Sequence, residues 1–350
     1  MERKKLAVIG YGGMGGFHCR HALESDVVEL AGIYDIDPAR NEKARLDGIR
    51  PYGSLEEVLS DGKVEIVTVA TPNDTHMDIT VRALRAGKAV ICEKPVAMSS
   101  RQLDEMIKAS DETGSLFTVH QNRRWDTDKM RIQDLYGKGE LGRIIDIESR
   151  VHGSRGIPGD WRKKPEQGGG MILDWGVHLI DQAFCIVGWK RLVSVYCRND
   201  YVTTESVEDG CHIVMEFENG VFYTVEVGTC NFISLPRFYM RGENGSAVIV
   251  NWNEPMKVVV KRQFSEKDAT PVRAESGLTK TMAPRDGDTT YSYEVPMPFS
   301  DVHDFYRNFC RAIDGKEEQI VTHDQMRRVM RTMEAAFESA RLGQVVKTSI

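Results

Sequence analysis

The sequence predicts an α/β protein in which a parallel-sheet domain precedes an α+β domain with a mostly antiparallel open sheet. Three observations carry that expectation. Short apolar runs alternate with amphipathic stretches through the first third of the chain. A glycine-rich loop, Gly10–Gly15, joins the first apolar run to the first helical stretch. Past residue 190 the helical period gives way to consecutive strand-like runs broken by Asn219-Gly220 and Asn244-Gly245, the dipeptides of tight hairpins.

The elements follow in order. Apolar runs predict strands at 6–9, 27–35, 66–70, 89–92 and 116–119, and the stretches between them predict helices at 15–23, 38–46, 75–86 and 99–113. Pro38 suits a first helical turn and Ser99 an N-cap, while Gly87 and Gly114 stand where a helix stops. A helix near 128–136 and a strand at 144–151 come next. A glycine triplet, Gly168–Gly170, then leads into an apolar helix over 171–187. Strands are expected at 192–201, 211–217, 221–228, 237–242, 247–251 and 258–261. Residues 263–290 are polar and aperiodic and read as a long loop, and 301–313 and 323–340 read as closing helices.

Composition narrows the function classes. The chain has 350 residues, 41% of them hydrophobic, and a net charge of −6. That is a globular profile long enough for two domains. Mild acidity without any Lys/Arg-dense block argues against a nucleic-acid binder. No apolar run could span a bilayer, and the run after Glu2–Lys5 stops at Gly10, too short for a signal peptide. The seven cysteines are scattered, without a CxxC pair, as expected of reduced thiols in a cytoplasmic protein.

Gly10-Tyr11-Gly12-Gly13-Met14-Gly15 fits G-x-G-x-x-G, and Asp35 ends the second strand 20 residues later, the dinucleotide spacing. Gly10 permits the tight turn, Gly12 lets backbone N–H groups approach a pyrophosphate, and Gly15 lets helix and strand pack closely. The helix N-terminus adds partial positive charge. A carboxylate at Asp35 accepts from ribose hydroxyls and repels a 2′-phosphate, which favours NAD over NADP. Arg40 opposes that preference, since an arginine there accommodates the phosphate. Thr71-Pro72-Asn73 follows the third strand, at the edge where nucleotides bind, and also reads as an ordinary turn.

Glu93-Lys94-Pro95 follows the fourth strand at the same edge. A lysine there can stabilise a developing alkoxide, and it can equally be a solvated loop residue. Asp174 and His178 lie four apart and share one face of the apolar 171–187 helix. Two titratable groups on such a face need a reason. One is a general base, His178, tuned near neutrality with Asp174 fixing substrate or lysine. Another is a satisfied structural pair. A metal site lacks a third ligand, so none is expected. The triplet before the helix removes side chains where a flat ring could approach. Arg123, Arg124, Trp125, Asp126, Trp161 and Arg162 suit either a sugar site or a domain interface, and His152 and Asp160 are weaker substrate candidates. His18, His21, His212, His303 and His323 read as structural.

In sum of motifs, the chain resembles the glucose-fructose oxidoreductase / inositol dehydrogenase / rhizopine-catabolism (Gfo/Idh/MocA) family over nearly its whole length. The matching residues are Gly10–Gly15, Asp35, Thr71-Pro72-Asn73 with His76, Glu93-Lys94-Pro95, Arg124-Trp125, Trp161-Arg162, Gly168–Gly170 and the run from Asp174 to Asp181. The stretch from Ala335 to Gly343 also looks like the family's closing helix. The resemblance implies a Rossmann domain at 1–121, a substrate and oligomerisation domain at 122–350 whose closing helices (301–342) pack back on the body, and a nicotinamide cofactor. It implies Lys94, Asp174 and His178 as the catalytic set and a cis Lys94–Pro95 peptide. It places Gly10, Gly12, Gly13, Met14, Gly15, Asp35, Thr71, Asn73, His76, Glu93 and Lys94 at the cofactor. Arg124, Trp125, His152, Trp161, Arg162, Asp174 and His178 fall at the substrate. It also implies a homodimer or homotetramer built through the sheet face. The expected activity is NAD-dependent oxidation of a secondary ring hydroxyl of a sugar, a glycoside (at C3 of a glucoside) or a cyclic polyol. A glycoside-cleaving enzyme working through transient oxidation, and a non-catalytic NAD- or sugar-sensing regulator, are the alternatives.

Overall fold

The computed structural model describes residues 3–262, 270–285 and 287–350. The first domain is the expected parallel sheet. Its strands are β1 (Lys4–Ile9), β2 (Val28–Tyr34), β3 (Ile66–Val69), β4 (Ala89–Cys92) and β5 (Phe117–Val119), in the order β2-β1-β3-β4-β5. All five pair in parallel. Every residue of β3, β4 and β5 is buried, as continuous apolar runs in a sheet covered on both faces require. The crossovers are α1 (Gly13–Glu24), α2 (Pro38–Leu46), α3 (Leu55–Ser60), α4 (His76–Arg85) and α5 (Ser100–Thr113). The Asp37 side chain caps α2 and Ser99 caps α5, each accepting from a main-chain N–H two or three residues on. Helix α3 was not anticipated; Ser54 caps it by accepting from Glu57 N. Chain order reverses direction between β1 and β3, and the carboxyl ends of β1 to β4 open there on one edge.

The second domain holds α6 (Thr127–Lys138), β6 (Ile144–His152), α7 (Val177–Ile186) and a large mixed sheet. The further strands are β7 (Leu192–Asp200), β8 (Gly210–Phe217), β9 (Phe222–Gly228), β10 (Phe238–Gly242), β11 (Gly245–Ile249) and β12 (Met256–Lys261). A small hairpin, β13 (Val272–Ala274) and β14 (Gly277–Thr279), precedes β15 (Thr290–Val295), and β16 (Val346–Lys347) comes last. The sheet order is β15-β12-β11-β10-β6-β9-β8-β7-β16. Neighbours are antiparallel except β6 and β9, which run parallel. The loop expected over 263–290 thus contains a hairpin and ends in a strand; residues 263–269 and 286 of that span lie outside the described residues.

The closing helices are α8 (His303–Ile313) and α9 (His323–Leu342). They pack back on both domains. Arg307 of α8 pairs with Asp26 at 3.1 Å, and Arg327 of α9 pairs with Asp104 of α5 at 2.7 Å. Ser339 of α9 accepts from Cys197 N of β7 at 2.8 Å. No helix among the described residues is long and apolar enough to cross a membrane.

Candidate active site

The carboxyl edge of the parallel sheet forms a cleft of about 700 Å3, lined among others by Gly10, Asp35, Arg40, Thr71, Pro72 and Gln167. Two glycines of its turn, Gly10 and Gly15, leave no room for a side chain. A Cβ on Gly15 would stand 1.8 Å from the carbonyl oxygen of Gly10, and one on Gly10 would stand 2.5 Å from that of Ala70. Gly10 also has φ +93°. Gly13 and Met14 open α1, so the N-terminus of that helix faces the turn. Asp35 accepts from Tyr11 N at 2.6 Å and from Asp37 N at 2.9 Å, which pins its carboxylate at the mouth. Arg40 approaches the same carboxylate at 3.5 Å. This cradle fits a dinucleotide, whose pyrophosphate the α1 terminus would hold and whose ribose Asp35 would hold.

The loops after β3 and β4 are tied together by residues that the sequence marked for the cofactor. The ring nitrogens of buried His76 sit 2.9 Å from the carbonyls of Pro95 and Thr71. Asn73 donates to Gly168 O at 2.9 Å, and Thr71 accepts from the Thr75 hydroxyl at 2.8 Å. Glu93 is buried, its oxygens engaged by His18, His120 and the main chain of Lys94. The Lys94–Pro95 peptide is cis.

Lys94 crosses to the second domain. Its Nζ donates to Asp174 Oδ1 at 3.0 Å and to Asp174 O at 2.9 Å. Arg162 holds the other carboxylate oxygen at 3.2 Å and reaches Asp160 at 2.8 Å. Burial pushes the Asp174 carboxyl up, but the cations of Lys94 and Arg162 outweigh it and hold the group below its ordinary range. His178 is buried one turn on, with Nδ1 lacking any hydrogen-bond partner among the described residues. The expectation of a near-neutral base does not hold for this structure. Burial, then the charges of Lys94 and Arg123, push the imidazole well below its usual value. Trp175 sits 5.9 Å from His178 and beneath the Arg123 guanidinium at 4.2 Å, and Trp252 stands 6.2 Å from Trp175.

The segment that carries Asp174 is not regular. Ile172–Gly176 forms a π turn before α7 begins. The triplet before it was expected to clear space for a ring. Instead protein atoms fill that space. A Cβ on Gly168 would meet Met98 and Asn73 within 3 Å, one on Gly169 would meet Arg162 O at 2.3 Å, and one on Gly170 would meet Glu208 Oε1 at 2.4 Å. The glycines allow close packing beneath the site. Glu208, which no motif singles out, accepts from Ile172 N at 3.0 Å and so pins the π turn.

Several other expected substrate residues are engaged by partners of their own. Arg124 is spent on a buried bidentate pair with Asp181, at 2.6 and 2.9 Å, and on Ile320 O and Gln325. Trp125 packs on Phe305. His152 is held in the sheet by Glu226 at 3.1 Å and by Leu235 N. Trp161 lies under the Arg162 guanidinium at 4.7 Å. Among the described residues, one trio has metal-ligand chemistry within mutual reach, His18, Glu93 and His120. Each imidazole is hydrogen-bonded to the Glu93 carboxylate.

Comparison with known proteins agrees with this fold. Residues 4–121 match an oxidoreductase family model with an NAD-binding Rossmann fold, and residues 134–348 match that family's C-terminal alpha/beta domain. An NAD-binding protein from Listeria innocua is 40% identical over 99% of this chain and all of its own, with a TM-score of 0.96. The scyllo-inositol 2-dehydrogenase (NADP(+)) IolW of Bacillus subtilis is 26% identical over 96% of this chain and 94% of its own. The D-glucoside 3-dehydrogenase of Escherichia coli is 27% identical over 62% of this chain and 67% of its own. With both domains matched in order, this chain belongs to the Gfo/Idh/MocA family of oxidoreductases.

Proposed function

We propose that this oxidoreductase oxidises a secondary ring hydroxyl of a sugar, a glycoside or a cyclic polyol, with NAD as cofactor and His178 as the base. One observation carries the reading. Lys94, delivered from the dinucleotide-binding sheet, meets Asp174 beside a buried imidazole that keeps a nitrogen unbonded. A buried polar atom without a partner costs stability and calls for a functional reason.

A bound nicotinamide supplies the hydride acceptor. The chain's own residues handle the proton and the oxygen. His178 takes the hydroxyl proton, which suits a base kept neutral by burial. The Lys94 ammonium stabilises the oxygen as charge develops on it. Asp174 keeps that ammonium in place and orients the neighbouring hydroxyl. Acid–base assistance of this kind contributes roughly 10² to 10⁴ in rate. The names of the relatives, which include an inositol and a glucoside dehydrogenase, support the substrate class. The preference for NAD rests on the pinned carboxylate of Asp35, with Arg40 as the opposing influence. A homo-oligomer formed through the outer face of the sheet is part of the reading. Tyr196 and Phe222 stand exposed on its strands.

Formation of reduced cofactor from NAD or NADP with inositols, glucose and simple glucosides tests this. Turnover with one such class, greater with NAD, is expected. Aglycone release without net reduced cofactor identifies the glycoside-cleaving alternative, and no turnover with any class overturns the reading.

A further inference from the structure

Four elements converge behind Lys94. Glu93 follows β4, His120 follows β5, His18 lies in α1 and Tyr306 lies in α8, and all four side chains are buried. His18 Nε2 and His120 Nδ1 each stand 2.8 Å from the same oxygen, Glu93 Oε1. The Tyr306 hydroxyl lies 2.6 Å from His18 Nδ1. Glu93 Oε2 accepts the main-chain N–H of Lys94 at 3.1 Å.

These contacts fix proton positions. A carboxylate only accepts, so each imidazole donates to it. His18 therefore carries its proton on Nε2 and accepts from Tyr306 at Nδ1. His120 carries a proton on Nδ1, and its Nε2 is buried without a partner among the described residues. Burial pushes the Glu93 carboxyl up, but the two imidazoles outweigh it and hold the group well below its ordinary range. A metal ion fits the contacts poorly. Two ligands placed about 2.0–2.1 Å from one tetrahedral ion stand roughly 3.3 Å apart, whereas these atoms sit at hydrogen-bond distance.

We propose that His18 and His120 are positioning residues for Lys94. They hold Glu93 ionised in one orientation, and Glu93 fixes the main chain of Lys94 so that its ammonium meets Asp174. The inference rests on the role given to Lys94 above. The same bonds join the helix that opens at the dinucleotide cleft, the lysine and the C-terminal helix α8. A change in α1 on cofactor binding is thereby felt at the lysine. The charged and titratable groups bearing on His178 are Lys94, Arg123, Glu93 and His120, with Asp174 one turn away, so Glu93 is the anion that opposes the nearby cations.

Spectroscopy, kinetics and chemical labelling test this. Two-bond ¹⁵N–¹H spectra of the imidazoles are expected to show His18 as the Nε2–H tautomer and His120 as Nδ1–H. The opposite tautomers, or an equivalent of zinc in the purified protein, overturn the proposal. In Glu93→Gln, kcat is expected to fall at least tenfold while KM for cofactor changes less than threefold. The acid limb of kcat should move to lower pH, because an anion that favours protonated His178 is gone. His120→Gln, which keeps an N–H for Glu93, is expected to retain more kcat than His120→Phe. Equal kcat in that pair, or an unchanged pH profile in Glu93→Gln, means the cluster only supports folding and overturns the proposal. Where wild type oxidises no sugar or polyol, the function reading fails by itself. The positioning role is then read from reductive methylation of Lys94, followed by mass spectrometry. Faster labelling in Glu93→Gln than in wild type supports it, and equal labelling overturns it.

Discussion

His178 is buried with one nitrogen unbonded, and its affinity for a proton is depressed first by burial and then by Lys94 and Arg123. Replacing Lys94 by Met removes one of the depressing charges. The His178 titration, followed by NMR, should therefore move to higher pH, and an unchanged midpoint would show that the lysine does not bear on the base. The ion pair of Arg124 with Asp181 makes a second residue-scale prediction. Both side chains are buried, and Asp181→Ala leaves a guanidinium without its anion. Denaturant unfolding should show a loss of about 3–5 kcal/mol. That arginine also shows where a sequence is silent. Asp174 and His178 could be placed together because helical spacing is local. Arg124 suited either a sugar site or a domain interface by residue type, and its partner Asp181, 57 residues on, is joined to it only by tertiary structure. His120 and Glu208 escaped notice for the same reason. Each acts through a residue remote in sequence.

At the scale of the element, strands and crossover helices were legible because burial period and caps are written in neighbouring residues. The capped helix α3 went unread, as did β13, β14, β15 and β16. The short strands carry too little periodicity, and β16 exists only through its pairing with β7. The π turn was also hidden. It depends on Glu208 meeting the space that Gly170 leaves open. Gly170 has φ +104°, so Gly170→Ala adds backbone strain and a clash. A loss of roughly 1–3 kcal/mol is expected from such strain, together with a fall in kcat as Asp174 and His178 shift. Wild-type stability and rate in that variant would show that the turn does not depend on the close approach.

At the scale of the molecule, the domain order, the cofactor cleft and closing helices that pack back on the body were expected from motifs, whereas the ion pairs that tie α8 and α9 down, Arg307 with Asp26 and Arg327 with Asp104, appear only in the structure. Several buried histidines give the whole protein a pH dependence. His18, His76 and His178 all have proton affinities lowered chiefly by burial. The unfolded chain then binds more protons than the folded one below about pH 6.5. Stability contributed by these groups is present above that pH and lost as pH falls through it, by up to about 1.4 kcal/mol per pH unit for each histidine. The urea midpoint should drop between pH 7.5 and 5.5. A flat midpoint would mean that these imidazoles are not held neutral.

The most direct test of the oxidoreductase mechanism is the fate of the ring hydrogen. The best substrate from the panel, deuterated at the carbon that bears the reacting hydroxyl, is incubated with enzyme and NAD, and the reduced cofactor is examined by mass spectrometry. Deuterium in the reduced nicotinamide with wild type, and no reduced cofactor with a His178→Ala variant that still binds NAD, is the predicted result. Reduced cofactor without deuterium, or undiminished turnover in His178→Ala, would contradict hydride transfer from a ring carbon with His178 as its base.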